Sequence, residues 1–497
     1  MTFVQNFPFF SIVLSMFGGI ISSVLKGKWA RNVVIAIISL IVVMSACVAI
    51  FCANAGESYT YMMGHYPAPW GNEIRAGVLE GVMAMFFALI MLLCILGGMR
   101  HTENEIEPSK LNFFYLLLSL LMSSLLALVY TNDMFTAYVF VEICTLAACG
   151  IIIIRYTGHT LVAGIRYMIM SLVGSGLFLI GLCMLYDVTG HLLMSDMKDA
   201  VAVIVQDHAY EVPMTVIIGL MCVGLAIKSA LFPFHSWVPD TYGYSTATSA
   251  SVLSSLVSKG YIFLLIKIMY RVIGIDIIRE SHVLMILFIF GVIAMILGSI
   301  NAIKTSDMRR MIAYSSVAQI GYIYMGIGMG TPAGMVAAIL HIIVHSATKS
   351  LLFVSAAELS AVSGGSKKFI DLTGSGYRNP IAGFTFAVGC LSMVGIPAFS
   401  GFITKLLFAT AGLQSQKNIW IVLIALCVST VLNTMYFLRT LLRVYTKSDV
   451  HKVEKKKADH SFRFTATCVA FIVINFVLGL CSQPIISLIE QGIAMFA

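Results

Sequence analysis

The sequence predicts an all-α polytopic membrane protein of about 14 transmembrane helices. Three observations carry that prediction. Of 497 residues, 59% are hydrophobic and only 11% are charged, against about 25% charged in a soluble domain. The mean hydropathy is +0.94. The apolar runs are continuous over about 20 residues, the length of a helical span, whereas a β-barrel needs alternating strands of about ten. A soluble globular domain, a disordered chain and a nucleic-acid binder are thereby excluded.

In chain order the spans are residues 8–25, 32–54, 76–98, 111–130, 133–154, 163–187, 213–233, 246–273, 282–303, 308–329, 332–360, 380–415, 418–438 and 464–490. The first, from Pro8 to Leu25, has no basic leader and no small-residue cleavage site, so a first span is expected rather than a removable signal. Fourteen spans sort 21 of the 31 Lys and Arg residues onto one face, among them Lys26, Arg155, Arg309 and Arg310. Five fall on the other face: Arg75, Lys198, Arg271, Arg279 and Lys417. The positive-inside rule makes the first face cytoplasmic and puts both termini outside. The acidic connection from Tyr186 to Val212 agrees with this. The net charge of +8 is mostly that bias and needs no acidic substrate or nucleic acid. The Lys455–Lys457 run reads as a solvated loop near anionic headgroups. Eleven scattered cysteines without a CxxC pair argue against a metal cluster or a disulfide framework.

Five lysines remain, and all lie inside apolar spans: Lys228, Lys259, Lys267, Lys349 and Lys405. Each costs about 2.5–3.5 kcal/mol at mid-bilayer on insertion scales, so together they demand a function. Pro233 follows Lys228 by five residues and should break the helix near 229–235. His235 sits just beyond, a residue type that titrates near neutral pH. Around Lys405, Gly395, Pro397 and Gly401 mark a second broken helix. Two interrupted spans in corresponding halves point to inverted repeats, although lysine precedes proline in the first and follows it in the second. Glu142 is the only acid near mid-span. It should face a lysine or take up a proton, and Lys228 is its expected partner. Joining or separating such a pair raises or lowers the lysine's proton affinity, which makes it a switch.

His341, His345 and Lys349 are spaced i, i+4, i+8 and share one helix face, a titratable stripe suited to a proton relay. The two histidines would also suit haem or zinc, but no further Cys/His/Asp cluster lies nearby to complete a site. Taken singly, each is explained as readily by a hydrogen bond to a neighbouring helix. Lys267, near the end of its span, is expected to snorkel to the interface, and Glu80 and Glu358 read the same way. Asp240 reads as structural, in the exit from the broken helix, and Asp307, Arg309 and Arg310 as topology anchors. No P-loop, dinucleotide fingerprint, hydrolase elbow or metalloprotease helix occurs. No catalytic residue, cofactor or metal is expected.

Two stretches carry a resemblance. Lys228–Ser229–Ala230–Leu231–Phe232–Pro233–Phe234–His235–Ser236–Trp237–Val238–Pro239–Asp240 looks like the broken-helix signature of antiporter-like subunits, and the run from Asp307 to Gly321 resembles the start of their tenth span. Such subunits occur in respiratory complex I, Mrp-type cation/proton antiporters and membrane-bound group 4 hydrogenases. The resemblance covers about residues 75–445. It implies fourteen helices with two inverted five-helix repeats, each containing a broken helix. The expected divisions are 1–110, then 111–273 and 282–445 as the repeats, then 446–497 as a basic cytoplasmic loop and last helix. Glu142 matches the glutamate that pairs with the broken-helix lysine, here Lys228. Lys259 matches the connecting lysine, His341 and His345 fall in the titratable region of span 11, and Lys405 matches the distal residue of the second break. That last position is glutamate in one complex I subunit, so the lysine disfavours that branch. After Asp240 the usual proline-containing pattern is replaced by Tyr242–Ser249 without proline, which suggests the hydrogenase-linked or Mrp D-like branch. A long lateral helix after the last span is expected to be absent.

The expected function is proton translocation through Glu142, Lys228, Lys259, His341, His345, Lys349 and Lys405, with His235 and Asp240 in support. A partner would supply the driving force. Expected partners are other membrane subunits, peripheral redox subunits and the lipid bilayer of the cell membrane. One alternative is an Mrp-type Na+/H+ antiporter subunit without a redox partner, against which the scarcity of mid-membrane acids counts. A haem- or quinone-binding redox subunit rests only on His341 and His345. A passive scaffold leaves the buried lysines unexplained.

Overall fold

A computed structural model describes residues 3–68, 70–207, 210–415, 418–446 and 461–496. Lys417, Lys447, Lys452 and the Lys455–Lys457 run lie outside the described residues. Helices α1 (Phe7–Val24) and α2 (Gly27–Ala55) precede an antiparallel hairpin of β1 (Tyr59–Met62) and β2 (Glu73–Ala76), with Tyr59 opposite Ala76. Next come α3 (Val78–Glu105), α4 (Leu111–Tyr130), α5 (Met134–Ile153) and α6 (Gly158–Thr189). The acidic connection holds a short helix, α7 (Met194–Gln206), which buries Met194, Met197 and Val201 and exposes Asp196 and Asp199. Helix α8 (Glu211–Lys228) stops at Lys228, and α9 (Val238–Tyr244) follows the proline-containing turn.

The segment Ala247–Ile273 is one continuous span built from α10 (Ala247–Val252), a π turn (Leu253–Val257), α11 (Ser258–Ile268) and a second π turn (Met269–Ile273). Then come α12 (Ile275–Glu280), α13 (Val283–Lys304), α14 (Met308–Gly328), α15 (Pro332–Ala361), α16 (Ser375–Arg378), α17 (Pro380–Val394), α18 (Ser400–Gln414), α19 (Ile419–Tyr445), α20 (Phe462–Leu480) and α21 (Gln483–Ala494). Side-chain caps set several of the starts: Asp133 accepts from the Thr136 amide at 2.6 Å, Asp307 from Arg310 at 2.9 Å, and Thr331 from Gly334 at 3.1 Å.

Among the described residues, twelve helices are long and apolar enough to cross a membrane. The difference from fourteen has two physical sources. Residues 308–329 do form a helix of 21 residues, α14, but Arg309, Arg310, Ser315, Ser316 and Gln319 dilute its apolar character. Residues 380–415 form two helices of 15 residues, α17 and α18, each short for a span and separated by the Gly395–Phe399 turn. Residues 464–490 also divide, at Cys481 and Ser482 between α20 and α21.

Two spans are enclosed by protein, Ala247–Ile273 along its length and α15 from Gly334 to Ser360. They carry Lys259, Lys267, Arg271, His341, His345, Lys349 and Glu358. Ionisable side chains are costly against lipid, so the helices bearing them occupy the centre. Helices α1, α2, α6, α19 and α20 lie outermost and expose apolar residues such as Val43, Ile165, Ile424 and Val473. Helices α6 and α8 meet through glycines: a Cβ on Gly174 would lie 2.8 Å from the Gly224 carbonyl oxygen and 3.1 Å from Lys228 Cγ. This small-residue contact sets where Lys228 sits.

In the second break Gly395 adopts φ +90°, a conformation that favours glycine. A Cβ there would lie 2.9 Å from Lys405 Cδ. Replacing Gly395 with Ala is expected to cost about 1–2 kcal/mol from backbone strain and to displace Lys405. Thermal unfolding of the detergent-solubilised protein measures this, and an unchanged melting temperature would refute it.

Candidate functional site

The site begins at the end of α8. Lys228 Nζ donates to Thr145 Oγ1 at 2.6 Å, lies 4.0 Å from Glu142 Oε1, and stands 5.5 Å from the centre of the Tyr261 ring. Glu142 and Thr145 are one turn apart on α5, so a single helix face presents both groups to the lysine. The Lys228 side chain is 1% exposed and that of Glu142 is 24% exposed. Tyr261 Oη is 3.4 Å from Thr145 Oγ1, which carries the polar contact from α5 to α11. Ser229 Oγ lies 2.6 Å from Tyr324 Oη and ties the break to α14.

Lys259 opens α11 directly after the π turn. The wider turn leaves the Ser254 carbonyl turned toward the ammonium, and Lys259 Nζ donates to it and to Ser258 Oγ at 3.1 Å. Ser254 Oγ reaches Ser316 Oγ on α14 at 3.0 Å. The neighbouring Ser315 Oγ accepts from Lys349 Nζ, which also donates to the Ile312 carbonyl at 3.1 Å. Adjacent serines of α14 therefore hold Lys349 directly and the residue whose carbonyl accepts from Lys259.

His341 and His345 stack at 5.9 Å with rings 13° apart. His341 Nδ1 lies 3.1 Å from Thr404 Oγ1, and its Nε2 lies 3.0 Å from Gln319 Oε1. His345 is fully buried, and neither of its ring nitrogens has a hydrogen-bond partner among the described residues. Lys405 Nζ donates to the Val394 carbonyl at 2.6 Å and to Thr430 Oγ1 at 3.1 Å, and it stands 5.9 Å from the centre of the Tyr322 ring. Tyr322 stacks on His341 at 5.5 Å. The structure thus encloses Lys228, Lys259, Lys349, His345, His341 and Lys405 in its interior in separate polar groups: Lys228 with Glu142, Thr145 and the Tyr261 ring, Lys259 with Ser254 and Ser258, Lys349 with Ser315, and His345 stacked on His341, which meets Tyr322 beside Lys405.

The two supporting candidates sit apart. His235 stacks on Phe232 at 5.6 Å. Asp240 is held by Arg166 and by Arg310 at 2.7 Å, an ion-pair brace for α9. Arg309 is buried and donates to the Tyr242, Ser245 and Thr246 carbonyls, so it fastens the end of α9. Lys367, in the loop after α15, donates to the Gly243 carbonyl at 2.7 Å. Burial, with the Arg309 guanidinium next, pushes its ammonium down to about 7.

Three snorkelling expectations are corrected. Lys267 is fully buried and caps α4, donating to the carbonyls of Leu128 (3.4 Å), Val129 (2.8 Å) and Thr131 (2.6 Å). The unpaired carbonyls at a helix end attract a cation more strongly than the interface does. Glu80 is buried against Arg271 at 2.6 Å, with side chains 1% and 2% exposed. Arg271 belongs to the second π turn rather than to an outer connection, and its guanidinium lies 4.0 Å from the centre of the Phe496 ring. Glu358 is buried beside His101, 3.1 Å away.

Sequence reasoning also missed the neutral partners Thr145, Ser315, Ser316, Gln319, Thr404 and Thr430. The signal for three of them was present: Ser-Ser-x-x-Gln in α14 puts polar groups along a helix too polar to face lipid. Breaking a buried ion pair costs about 3–5 kcal/mol because a charge is left uncompensated. Glu80→Gln should therefore destabilise the protein by that amount, and the double change Glu80→Leu with Arg271→Met by less. Unfolding of the two variants side by side tests this, and an equal or larger loss in the double variant would contradict it.

Comparisons with known proteins agree with this architecture. The family model described as NADH:quinone oxidoreductase/Mrp antiporter, transmembrane, matches residues 131–433. The chain is 30% identical to NADH-quinone oxidoreductase subunit N of Desulforudis audaxviator, covering 90% of this chain and 92% of that one. It is 26% identical to the D-type subunit of the Na(+)/H(+) antiporter of Bacillus subtilis, covering 87% and 85%. Among solved structures, a chain of the Mrp complex from Dietzia sp. DQ12-45-1b superposes with a TM-score of 0.87 at 21% identity, covering 99% and 97%. A chain of an archaeal membrane-bound sulfane sulfur reductase superposes with a TM-score of 0.88, also at 21% identity and the same coverage. The structural likenesses establish the fold, and the family match together with the 30% relative establishes the kinship: this chain belongs to the NADH:quinone oxidoreductase/Mrp antiporter transmembrane family.

Proposed function

We propose that this chain translocates protons as one subunit of a multisubunit membrane complex. The observation that carries the proposal is the set of buried lysines, Lys228, Lys259, Lys349 and Lys405, which are held by hydroxyls and carbonyls instead of carboxylates. An ammonium without a tight counterion loses its proton more readily when water is excluded. A string of such groups can load and unload protons where fixed ion pairs would hold them. Glu142 is the exception, and at 4.0 Å from Lys228 it is placed to set that lysine's charge. Moving the carboxylate toward Lys228 favours the charged lysine, and moving it away releases the proton to Thr145, Tyr261 and the groups beyond.

In this reading the chain divides into inverted repeats at residues 111–273 and 282–445 within a fourteen-helix fold, with α14 and the α17–α18 pair counted as spans. The two breaks support it: Ala230 in the first has φ +66° and Ala398 in the second has φ +78°, both in the left-handed region that non-glycine residues seldom adopt. The basic face is cytoplasmic, both termini lie outside, and the complex sits in the cell membrane. The driving force comes from a partner subunit, redox-active in the complex I-like reading. Na+/H+ exchange is the second reading, favoured by the relatives named as Na(+)/H(+) antiporter subunits.

Lys228→Ala should abolish translocation, with at least a tenfold loss of proton flux in proteoliposomes of the native complex, while the complex still assembles. Near-normal flux would remove the central mechanism. Mass spectrometry of the complex pulled down through this chain separates the two readings: redox proteins among the partners support a redox-driven pump, and small membrane subunits alone support the antiporter.

A further inference from the structure

The buried pair His101–Glu358 has no part in the groups described above. We infer that it is the port through which protons pass between solvent on the basic face and Lys259. The inference rests on the proposed translocating role and adds to it a point of entry.

A cavity of about 400 Å3 opens on that face, between the ends of α3 and α15 and the start of α20. Lys28, Arg31, Arg100 and Arg463 line it, together with two groups that accept a proton, Glu103 and Glu358. Glu103 is engaged by Arg31. Glu358 instead turns inward: Oε1 lies 3.1 Å from His101 Nε2, and Oε2 accepts from Asn379 Nδ2 at 3.5 Å. It thus touches both the cavity and the protein interior.

Beside His101, buried hydroxyls extend toward the centre. The next residue, Thr102, has its Oγ1 2.7 Å from Thr248 Oγ1 at the start of α10. Gly98 permits this, because a Cβ there would lie 2.1 Å from Thr248 Oγ1. Along the span Ser251, Ser255 and Ser258 follow Thr248; Ser251 Oγ donates to the Ala247 carbonyl at 2.9 Å and Ser255 Oγ to the Ser251 carbonyl at 2.6 Å. Ser255 accepts at its carbonyl from Ser346 Oγ at 2.6 Å, and Ser350 Oγ accepts from Cys94 Sγ at 3.3 Å. Ser258 Oγ accepts from Lys259 Nζ at 3.1 Å. Thr248 and Lys259 are eleven residues apart, a rise of about 16 Å, and all these side chains are buried.

Hydroxyls both donate and accept, so with bridging waters they pass a proton without carrying charge themselves. Glu358 takes a proton from cavity water and gives it to His101 Nε2. The imidazole releases a proton from its other nitrogen to these hydroxyls, and a neutral Lys259 takes one up at the far end. Protons are conserved at each step, and no other reactant is needed.

The test is proton flux in proteoliposomes of the native complex. His101→Ala should lower flux at least tenfold, and imidazole supplied on the cavity side should restore a large part of it. Glu358→Gln should lower flux similarly, while Glu358→Asp keeps most of it. A loss in an assembled His101→Ala complex that imidazole does not restore makes the pair a brace between α3 and α15 and overturns the port. Wild-type flux in both His101→Ala and Glu358→Gln overturns it too. In either case a Lys228→Ala complex that is still inactive leaves the translocating role standing. Normal flux in Lys228→Ala removes that role and the port with it.

Discussion

Everything in this structure follows from one constraint: an ammonium enclosed by helices must find oxygen atoms to bond. Regular helices offer few, because each carbonyl already accepts a bond within its own helix, although Ile312 in α14 accepts a further one from Lys349. The chain frees carbonyls by breaking its helices. The Val394 carbonyl at the second break serves Lys405, the Ser254 carbonyl in a π turn serves Lys259, and the last carbonyls of α4 serve Lys267. Where backbone is not freed, hydroxyls of Thr145, Ser315 and Thr430 take its place. The irregularities of the fold are therefore the solvation shell of its buried cations.

The same constraint divides the buried charges into two kinds. Arg271 is neutralised by Glu80 at 2.6 Å and Asp240 by two arginines. These pairs brace the ends of the molecule, and guanidinium groups are suited to it because they stay protonated. The enclosed lysines and histidines of the site, Lys228 apart, have only neutral partners among the described residues, which satisfy hydrogen bonds without fixing charge. Lys228 stands between the two kinds, with a hydroxyl at 2.6 Å and a carboxylate at 4.0 Å.

How much of this is readable from the sequence depends on whether a feature is local. The helical membrane class, the break after Lys228 and the enclosed lysines all follow from hydropathy and proline position within one segment. The Lys228–Glu142 proximity is a matter of charge economy, because Glu142 is the one acid near mid-span. The Glu80–Arg271 pair and the cap that Lys267 places on α4 are not readable in this way. Both residues of the pair sit near span ends, where snorkelling and burial have the same sequence signature, and their partners are more than a hundred positions away. The helix α14 is found where the span was read, but its serines and glutamine, needed inside, dilute the hydropathy that would mark it as a span. The polar site itself is half hidden for a related reason: serine and threonine are common in membrane helices, and only the fold shows which of them face a lysine.

The cap on α4 also bears on how the chain is made. The carbonyls of Leu128, Val129 and Thr131 are bonded by a lysine 136 to 139 residues further on. At about 5–20 residues per second of synthesis, the end of α4 waits on the order of ten seconds before its cap emerges from the ribosome. The Thr131–Asp133 turn also meets segments from both directions along the chain, with Asn132 bonded to Glu73 and to Met194. The early helices therefore enter the bilayer with one face unfinished, and the span that closes it, Ala247–Ile273, is itself too rich in polar groups to rest against lipid. The end of α4 is therefore completed only once that later span is in place.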